Sequence, residues 1–257
     1  MKLKSFKQTH IGKRSTNQDY VEVFSNQSNQ LLAVLCDGMG GHKAGDIASE
    51  MAVLQLGNEW KNTQFQSSKE TIQWLENQIN IENQRIYRIA KKYNDLEGMG
   101  TTLVTSAFIQ DEIIIGNVGD SRAYQLSENE LERITEDHSF ANELKLRGEI
   151  TEEEAKSHLK KNALTRSLGV FDKVEVDFFT LEREKTELLL LCSDGLTNGL
   201  SDELIEEILT DGQSLEEKAN VLIKEALKNG ATDNITVCLV DPTIKKDMIV
   251  SGKEENK

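Results

Sequence analysis

Five aspartates of this chain stand at the ends of apolar, strand-like segments, where carboxylates can be gathered into one site: Asp19, Asp37, Asp120, Asp194 and Asp233. A single aspartate at a strand end is usually a turn residue. Five at the strand ends of one sheet system predict a carboxylate cluster. Because clustered carboxylates repel, they stay ionised only beside hard cations, and the pattern therefore predicts a divalent metal site. All-oxygen ligation favours Mg²⁺ or Mn²⁺ over Zn²⁺, and the four histidines include no pair at ligand spacing.

The stretch around Asp37 has the clearest local pattern. Leu31–Cys36 is a continuous apolar run, which is typical of a strand buried on both faces. The next five residues, Asp37-Gly38-Met39-Gly40-Gly41, predict a glycine-rich turn whose backbone can approach a ligand closely. A helix follows, from about Gly45 to Trp60. Taken alone, Asp37 could also be a turn residue that caps this helix.

The order of the remaining elements indicates the fold class. Strand patterns are grouped, then two helices, then strands, and the second half repeats this order before a last strand that begins near Ile235. Between the halves lies a charged segment, 136–169, with short helical pieces and no continuous apolar face, which predicts an irregular insertion over the sheet. Grouped strands and grouped helices predict an α+β fold with antiparallel sheets and helices packed outside them. A charged tail, 244–257, is predicted to be disordered.

Composition excludes several classes of function. The net charge of −14 disfavours binding to nucleic acid or to an anionic membrane. No apolar run approaches the roughly 20 residues of a membrane-spanning helix. The first residues have no apolar core after their lysines, so we expect no signal peptide and a cytoplasmic protein.

The three cysteines, Cys36, Cys192 and Cys238, lie at the ends of apolar runs or inside one, which predicts buried, reduced thiols. A cysteine-dependent phosphatase needs an arginine six residues after its nucleophile. His42, Asn198 and Ile244 occupy those positions, so this chemistry is excluded.

Six short motifs occur together over roughly residues 5–241, and together they resemble one family. They are Arg14 with Asn17-Gln18-Asp19, Asp37-Gly38-Met39-Gly40-Gly41-His42, Gly100-Thr101-Thr102, Gly119-Asp120-Ser121-Arg122, Ser193-Asp194-Gly195-Leu196 and Asp233-Asn234-Ile235-Thr236. Each motif alone is weak, but their order and spacing are specific. The chain resembles the metal-dependent type 2C serine/threonine protein phosphatases in their compact bacterial form.

The resemblance implies a β-sandwich of two antiparallel sheets flanked by helix pairs, within one catalytic domain at 1–243. It also implies hydrolysis of phosphoserine and phosphothreonine in proteins by a metal-activated water, with two or three Mn²⁺ or Mg²⁺ ions. The insertion at 136–169 corresponds to the family's flap near the metal cleft. The expected partners are phosphorylated proteins and a cognate serine/threonine kinase, and we expect a monomer.

The resemblance also implies a role for each candidate residue. Asp37 would bridge two metals, and Asp194 and Asp233 would complete the first. Asp19 and the Gly38 carbonyl would serve the second, partly through water. Asp120, together with Asp194, would hold a third metal, and Arg14 would bind the substrate phosphate.

One departure from the family pattern leaves the general acid open. Many members have histidine directly after Asp-Gly, where this chain has Met39. The nearest histidine is His42, for which a catalytic role and a structural role are equally consistent with the sequence. Two alternative functions also stay open, an inactive phospho-recognition protein and a hydrolase of small phosphate esters. The first is disfavoured because all five candidate side-chain ligands of the metals are acids.

Overall fold

The computed structural model describes residues 3–40 and 44–243. The predicted tail, 244–257, and His42 lie outside the described residues. Eleven strands are found in this part of the chain. They are β1 Lys4–His10, β2 Asp19–Ser25, β3 Leu31–Met39, β4 Gly100–Thr101, β5 Leu103–Ile109, β6 Glu112–Val118, β7 Arg122–Ser127, β8 Glu130–Arg133, β9 Asp177–Glu182, β10 Leu188–Cys192 and β11 Ile235–Asp241.

Two long helices lie between the third and fourth strands, two short ones fall within the insertion, and the others belong to the second half. They are α1 Ala44–Trp60, α2 Ser68–Lys92, α3 Phe140–Leu146, α4 Glu152–Ser157, α5 Asp194–Thr197, α6 Asp202–Thr210 and α7 Leu215–Lys228.

The strands form two antiparallel sheets that pack face to face. One sheet has the order β1-β11-β10-β7-β8, and the other has the order β2-β3-β5-β6-β9, with β4 paired to β3. Side chains from both sheets share the central core, while α1 and α2 cover the outer face of the second sheet and α6 and α7 cover that of the first. The predicted α+β class, with antiparallel sheets between helix pairs, is confirmed.

The layered arrangement accounts for the continuous apolar runs. Along β3, Leu32, Val34 and Cys36 face α1 and α2, whereas the alternate residues face the other sheet. Strand β10 repeats this pattern, with Leu188 and Leu190 toward the helices and the alternate leucines toward the sandwich. Because strand side chains alternate between faces, a strand with apolar layers on both sides must be apolar throughout.

The insertion at 136–169 is closed at its base by its own two ends. The amide of Thr165 donates to the carbonyl of His138 at 2.9 Å, and Phe140 donates to Ala163 at 2.8 Å. The segment that returns to β9 is held by α2, where Asn83 accepts a hydrogen bond from the amide of Gly169 at 2.8 Å. We call residues 136–169 the flap.

One local prediction was wrong. The turn expected to begin at Asp37 begins later, because β3 continues through Asp37 to Met39 and pairs with β2 and then β4. The segment after β10 forms the short helix α5, which begins at Asp194.

Candidate active site

Four of the five predicted aspartates meet in one cleft of about 650 Å³ at an end of the sandwich: Asp37, Asp120, Asp194 and Asp233. They reach it from β3, from the turn after β6, from the start of α5 and from the turn before β11. Arg14 and Gly38 also line the cleft, and Asn162 and Leu164 of the flap form part of its wall. The flap therefore lies beside the acids.

Asp37 is fixed by its backbone. Its amide donates to the Thr102 hydroxyl at 2.9 Å, and its carbonyl accepts from the amide of Thr102 at 2.9 Å. Gly38 is required by packing, since a Cβ here would lie 2.0 Å from the carbonyl oxygen of Gly45 at the start of α1. The absence of a side chain thus lets α1 begin directly against the strand that carries Asp37.

Asp19 lies behind this cleft. The β2–β3 register places it opposite Asp37, but its side chain is buried and does not line the cleft wall. Its Oδ2 accepts hydrogen bonds from the hydroxyls of Ser193 and Thr236, each at 2.7 Å, while its Oδ1 is buried with no hydrogen-bond partner. Burial raises the pKa of Asp19 to about 6, although the two hydroxyls oppose that rise.

Asp37 and Asp194 both line the cleft, and both carboxyl groups have raised pKa values. Burial and the neighbouring acids, Asp19 first among them, raise the pKa of Asp37 well above its usual value. Burial and Asp233 raise the pKa of Asp194, whose Oδ2 accepts from the Asn198 amide at 3.0 Å and whose Oδ1 has no partner. Buried carboxyls that repel one another in this way favour a bound cation between them.

Asp233 and Arg14 form a bidentate ion pair. Arg14 donates from Nε to Oδ1 at 2.9 Å and from Nη2 to Oδ2 at 2.7 Å. The loop that carries Arg14 is tied to the same turn by Asn234, whose side chain donates to the carbonyls of Ile11 and Thr16. Arg14 therefore enters the cleft from the Asp233 side, and its side chain is more than half exposed.

Asp120 follows Gly119, which has a φ of +107° and lies against Thr102. Burial, Asp194 and Asp137 raise the pKa of Asp120 to about 8, while Arg122 opposes the rise. Asp120 also borders a second cavity of about 390 Å³, which residues of the flap and of the α5–α6 segment line. Asp120 thus stands between the main cleft and the flap.

The acids suit hard divalent cations that keep several waters. One carboxylate oxygen of Asp19 and one of Asp194 are buried without a hydrogen-bond partner, and burial raises the pKa of both residues and of Asp37. Within residues 3–40 and 44–243, no group of three or more His, Cys, Asp or Glu side chains could hold a metal ion as they stand. Asp233 is engaged by Arg14, and Asp19 lies in a second layer. Mg²⁺ commonly takes only one or two carboxylates and fills its remaining positions with water, which fits this arrangement.

The structure brings Arg14, Asp37, Gly38, Asp120, Asp194 and Asp233 together and places Asp19 behind them. The role of His42 stays a prediction. Sequence reasoning assigned no role to Thr102, Ser193, Asn198, Asn234 or Thr236, although all but Asn198 fall within the motifs. Their hydroxyl and amide groups hold the acids, and their position next to motif aspartates was the available signal.

The three cysteines contribute nothing to this cleft. All are free and buried, and burial raises the pKa of the Cys192 and Cys238 thiols to about 12. Such thiols are protonated near neutral pH and are poor nucleophiles. The predicted burial is confirmed.

Comparison with known proteins identifies close relatives. The family model for protein phosphatase 2C matches residues 8–230. A serine/threonine phosphatase stp from Listeria welshimeri is 48% identical over 229 residues, which are 89% of this chain and 91% of that protein. The crystal structure of the serine/threonine phosphatase Stp1 from Staphylococcus aureus has a TM-score of 0.90 and 38% identity, over 94% of this chain and 95% of that one. A crystal structure of the PstP catalytic domain with two manganese ions has a TM-score of 0.81 and 33% identity, over 93% and 97% of the two chains.

Proposed function

Because the chain belongs to the protein phosphatase 2C family, we propose that it hydrolyses phosphoserine and phosphothreonine in proteins with the help of divalent metal ions. One observation carries this proposal: four distant segments bring Asp37, Asp120, Asp194 and Asp233 into one cleft beside Arg14. All five candidate metal positions keep their acids, which argues against an inactive phospho-recognition protein.

We assign the metal ligands residue by residue. Asp37 would hold both of two ions, Asp194 and Asp233 would complete the first site, and the Gly38 carbonyl and Asp19 would serve the second. Asp120, together with Asp194, would hold a third ion. The buried position of Asp19 supports a contact that passes partly through water. When bound, the ions lower the pKa of water and neutralise charge on phosphoryl oxygens. Mn²⁺ and Mg²⁺ are the proposed ions, and the manganese in the PstP structure supports this choice.

The substrate phosphate is the proposed partner of Arg14. A guanidinium binds two phosphate oxygens with its planar fork, and Arg14 presents such a fork at the cleft rim, where it now holds the Asp233 carboxylate. The ion pair with Asp233 uses Nε and Nη2, so Nη1 is left for a substrate oxygen as the arginine stands. Arg14 thus supplies fixed positive charge next to the acids.

The wider setting follows from the same assignment. The substrates are phosphorylated proteins, and we propose that a serine/threonine kinase of the same cell supplies them. The charge of −14 argues against nucleic-acid partners. No helix within residues 3–40 and 44–243 combines the length and apolar character needed to cross a bilayer. We propose a cytoplasmic monomer whose catalytic domain spans 1–243, with the flap at 136–169 and the tail at 244–257.

The decisive test is a metal and substrate series. The chelated protein should be nearly inactive on phosphoserine and phosphothreonine peptides, and added Mn²⁺ or Mg²⁺ should restore turnover. Asp37→Asn and Asp194→Asn should lose nearly all of it, whereas the exposed Asp95→Asn should behave as wild type. Full activity in excess chelator would overturn the metal-dependent proposal.

The same series separates the alternatives. A hydrolase of small esters would turn over an aryl phosphate much faster than any phosphopeptide, and a recognition protein would bind phosphopeptides without releasing phosphate. Substitutions in the flap also help to distinguish protein substrates from small esters, because flap residues line the cleft. They should change phosphopeptide rates and leave aryl phosphate rates within a few-fold.

A further inference from the structure

His138 is a buried histidine at the base of the flap, outside the six motifs that mark the active site. Its side chain is about 6% exposed. It lies 18 residues after Asp120 in the sequence, yet it contacts the turn that presents Asp120 to the cleft. It has no place in the ligand set proposed above.

The ring of His138 holds the peptide that precedes Asp120. The amide of Gly119 donates to Nδ1 of His138 at 3.0 Å. In the opposite direction, the amide of His138 donates to the carbonyl of Gly119 at 2.9 Å. Gly119 is thus bonded through both its amide and its carbonyl to one residue, and Thr102 lies against its Cα.

The other ring nitrogen is anchored outside the cleft. Because Nδ1 accepts a hydrogen bond, the ring proton lies on Nε2, which contacts Oδ2 of Asp177 at 3.0 Å. Asp177 is the first residue of β9, and Arg166 at the end of the flap donates to its Oδ1 at 2.8 Å. A continuous chain of hydrogen bonds therefore runs from Arg166 through Asp177 and His138 to Gly119.

This chain joins both ends of the flap to one metal-ligand turn. His138 belongs to the first end, and its carbonyl accepts from the amide of Thr165 at the second end. Any displacement of either end moves the imidazole or its anchor. Since Asp120 is bonded directly to Gly119, the imidazole sets where the Asp120 carboxylate stands relative to Asp194.

We propose that His138 is a positioning residue for Asp120 and that it makes the geometry of the Asp120 metal site depend on the seating of the flap. This inference rests on the proposed function, in which Asp120 holds an ion. Outer partners that orient metal ligands typically change affinity or activity by about 10- to 100-fold when removed. Here the ligand is oriented through a backbone peptide.

Two substitutions separate the two ring nitrogens. In His138→Asn, the amide oxygen falls near the place of Nδ1 and can still accept from Gly119, while the contact with Asp177 is lost. In His138→Gln, the longer side chain can still donate to Asp177, while the acceptor for Gly119 is lost. His158→Gln is the matched control, because its Nδ1 also accepts a flap amide, that of Lys160 at 3.1 Å, on the exposed surface.

Each full-length variant is titrated with MnCl₂ by calorimetry, assayed for kcat and KM on an aryl phosphate, and melted. His138→Gln should lose at least about tenfold in Mn²⁺ affinity at one site and a similar factor in kcat, with KM little changed. His138→Asn keeps the acceptor for Gly119 but loses the anchor on Asp177, so it should lose only about three- to fivefold in Mn²⁺ affinity at that site, clearly less than His138→Gln. A purely structural histidine predicts that the two variants change together, so equal Mn²⁺ binding and equal kcat in them overturn the proposal.

Two further variants keep the test decisive. If His138→Gln does not fold, Asp177→Asn replaces it, since it weakens the anchor of the ring and leaves the Gly119 acceptor. It should lower Mn²⁺ affinity at the same site several-fold, and unchanged binding refutes the inference. Asp120→Asn distinguishes the assignment of Asp120 as a metal ligand from the positioning role of His138. If it keeps every Mn²⁺ site, the assignment of Asp120 fails, whereas loss of a site only in Asp120→Asn defeats the role of His138 alone.

Discussion

Removing the metal should give the folded protein an unusual dependence on pH, and Asp120 is the residue in which to measure it. Burial and the acids Asp194 and Asp137 raise the pKa of Asp120 from 3.8 to about 8. Between these values the folded state holds a proton on Asp120 that the unfolded state has released. Stability therefore falls as pH rises through this window, by up to about 1.4 kcal/mol per pH unit for one group.

The size of the effect follows from the position of Asp120. Over the two units from pH 5 to pH 7 the ceiling is about 3 kcal/mol. Asp120 is half-buried at the edge of an open cleft, so solvent screening reduces this to about 1–2 kcal/mol. For a domain of this size, that corresponds to a loss of roughly 3–6 °C in the melting temperature.

The assay is thermal unfolding of chelated wild type and chelated Asp120→Asn at several pH values. The amide cannot titrate, so the variant should lose this part of the slope, and the difference between the two proteins isolates Asp120 from other carboxyls. The exposed Asp95→Asn is the matched control and should keep the wild-type slope. Saturating Mn²⁺ should abolish the difference if the ion replaces the proton. Identical slopes in wild type and Asp120→Asn would refute the reasoning.

Three further predictions concern the surroundings of the acids. Arg14→Ala should raise KM for phosphopeptides at least tenfold and change unfolding stability by no more than about 1 kcal/mol, because its ion pair is largely exposed; unchanged steady-state kinetics would remove Arg14 from the site. Thr236→Val removes the hydroxyl that binds Asp19 and Thr9, and Thr105→Val removes a buried hydroxyl that donates to the Ala33 carbonyl. Each lost hydrogen bond should cost about 1 kcal/mol in denaturant unfolding, but only Thr236→Val should weaken Mn²⁺ binding in calorimetry, because its hydroxyl binds Asp19. Replacing the three buried cysteines by alanine should leave kcat within a few-fold of wild type; loss of turnover with intact folding and metal binding would reopen thiol chemistry.

Much of the fold could be predicted because its layers impose simple patterns. Strands between two apolar layers are apolar throughout, as Leu31–Cys36 is, and helices on the outside carry one apolar stripe. Grouping along the chain then predicted antiparallel sheets with helices packed outside them. The sequence could not predict that β3 runs on to Met39, because its last pairs are made with residues about 60 positions away, at Gly100 and Thr101.

The helix α2 shows another limit of pattern. Glu82 interrupts its apolar stripe, yet the side chain is about 1% exposed. Burial raises the pKa of this carboxyl to about 7, and Arg85 opposes the rise from 3.5 Å. Glu82 keeps the spacing of the stripe and is buried with it, although a glutamate is rarely fully buried.

The sequence predicted which acids form the site, but it did not predict the hydrogen-bond and ion-pair partners of those acids. The acids could be identified because five carboxylates at the strand ends of one sheet system rarely serve only as turn residues. How deeply each acid lies in the cleft could not be predicted. Asp19 lies behind Asp37 because of the register of β2 and β3 and because the hydroxyls of Ser193 and Thr236 bind its side chain. The ion pair between Arg14 and Asp233 joins residues 219 positions apart in the sequence, and no local sequence pattern predicts it.

The closed base of the flap has a consequence for how relatives of this protein could diverge. Since Thr165 is bonded to His138 and Ala163 to Phe140, the flap leaves and re-enters the sandwich at nearly one point. Lengthening a loop whose ends are already fixed costs little, about 0.6 kcal/mol for each doubling of its length. Flaps of different length and sequence can therefore be grafted onto the same base, and new protein substrates can be acquired without rebuilding the sheets that carry the acids.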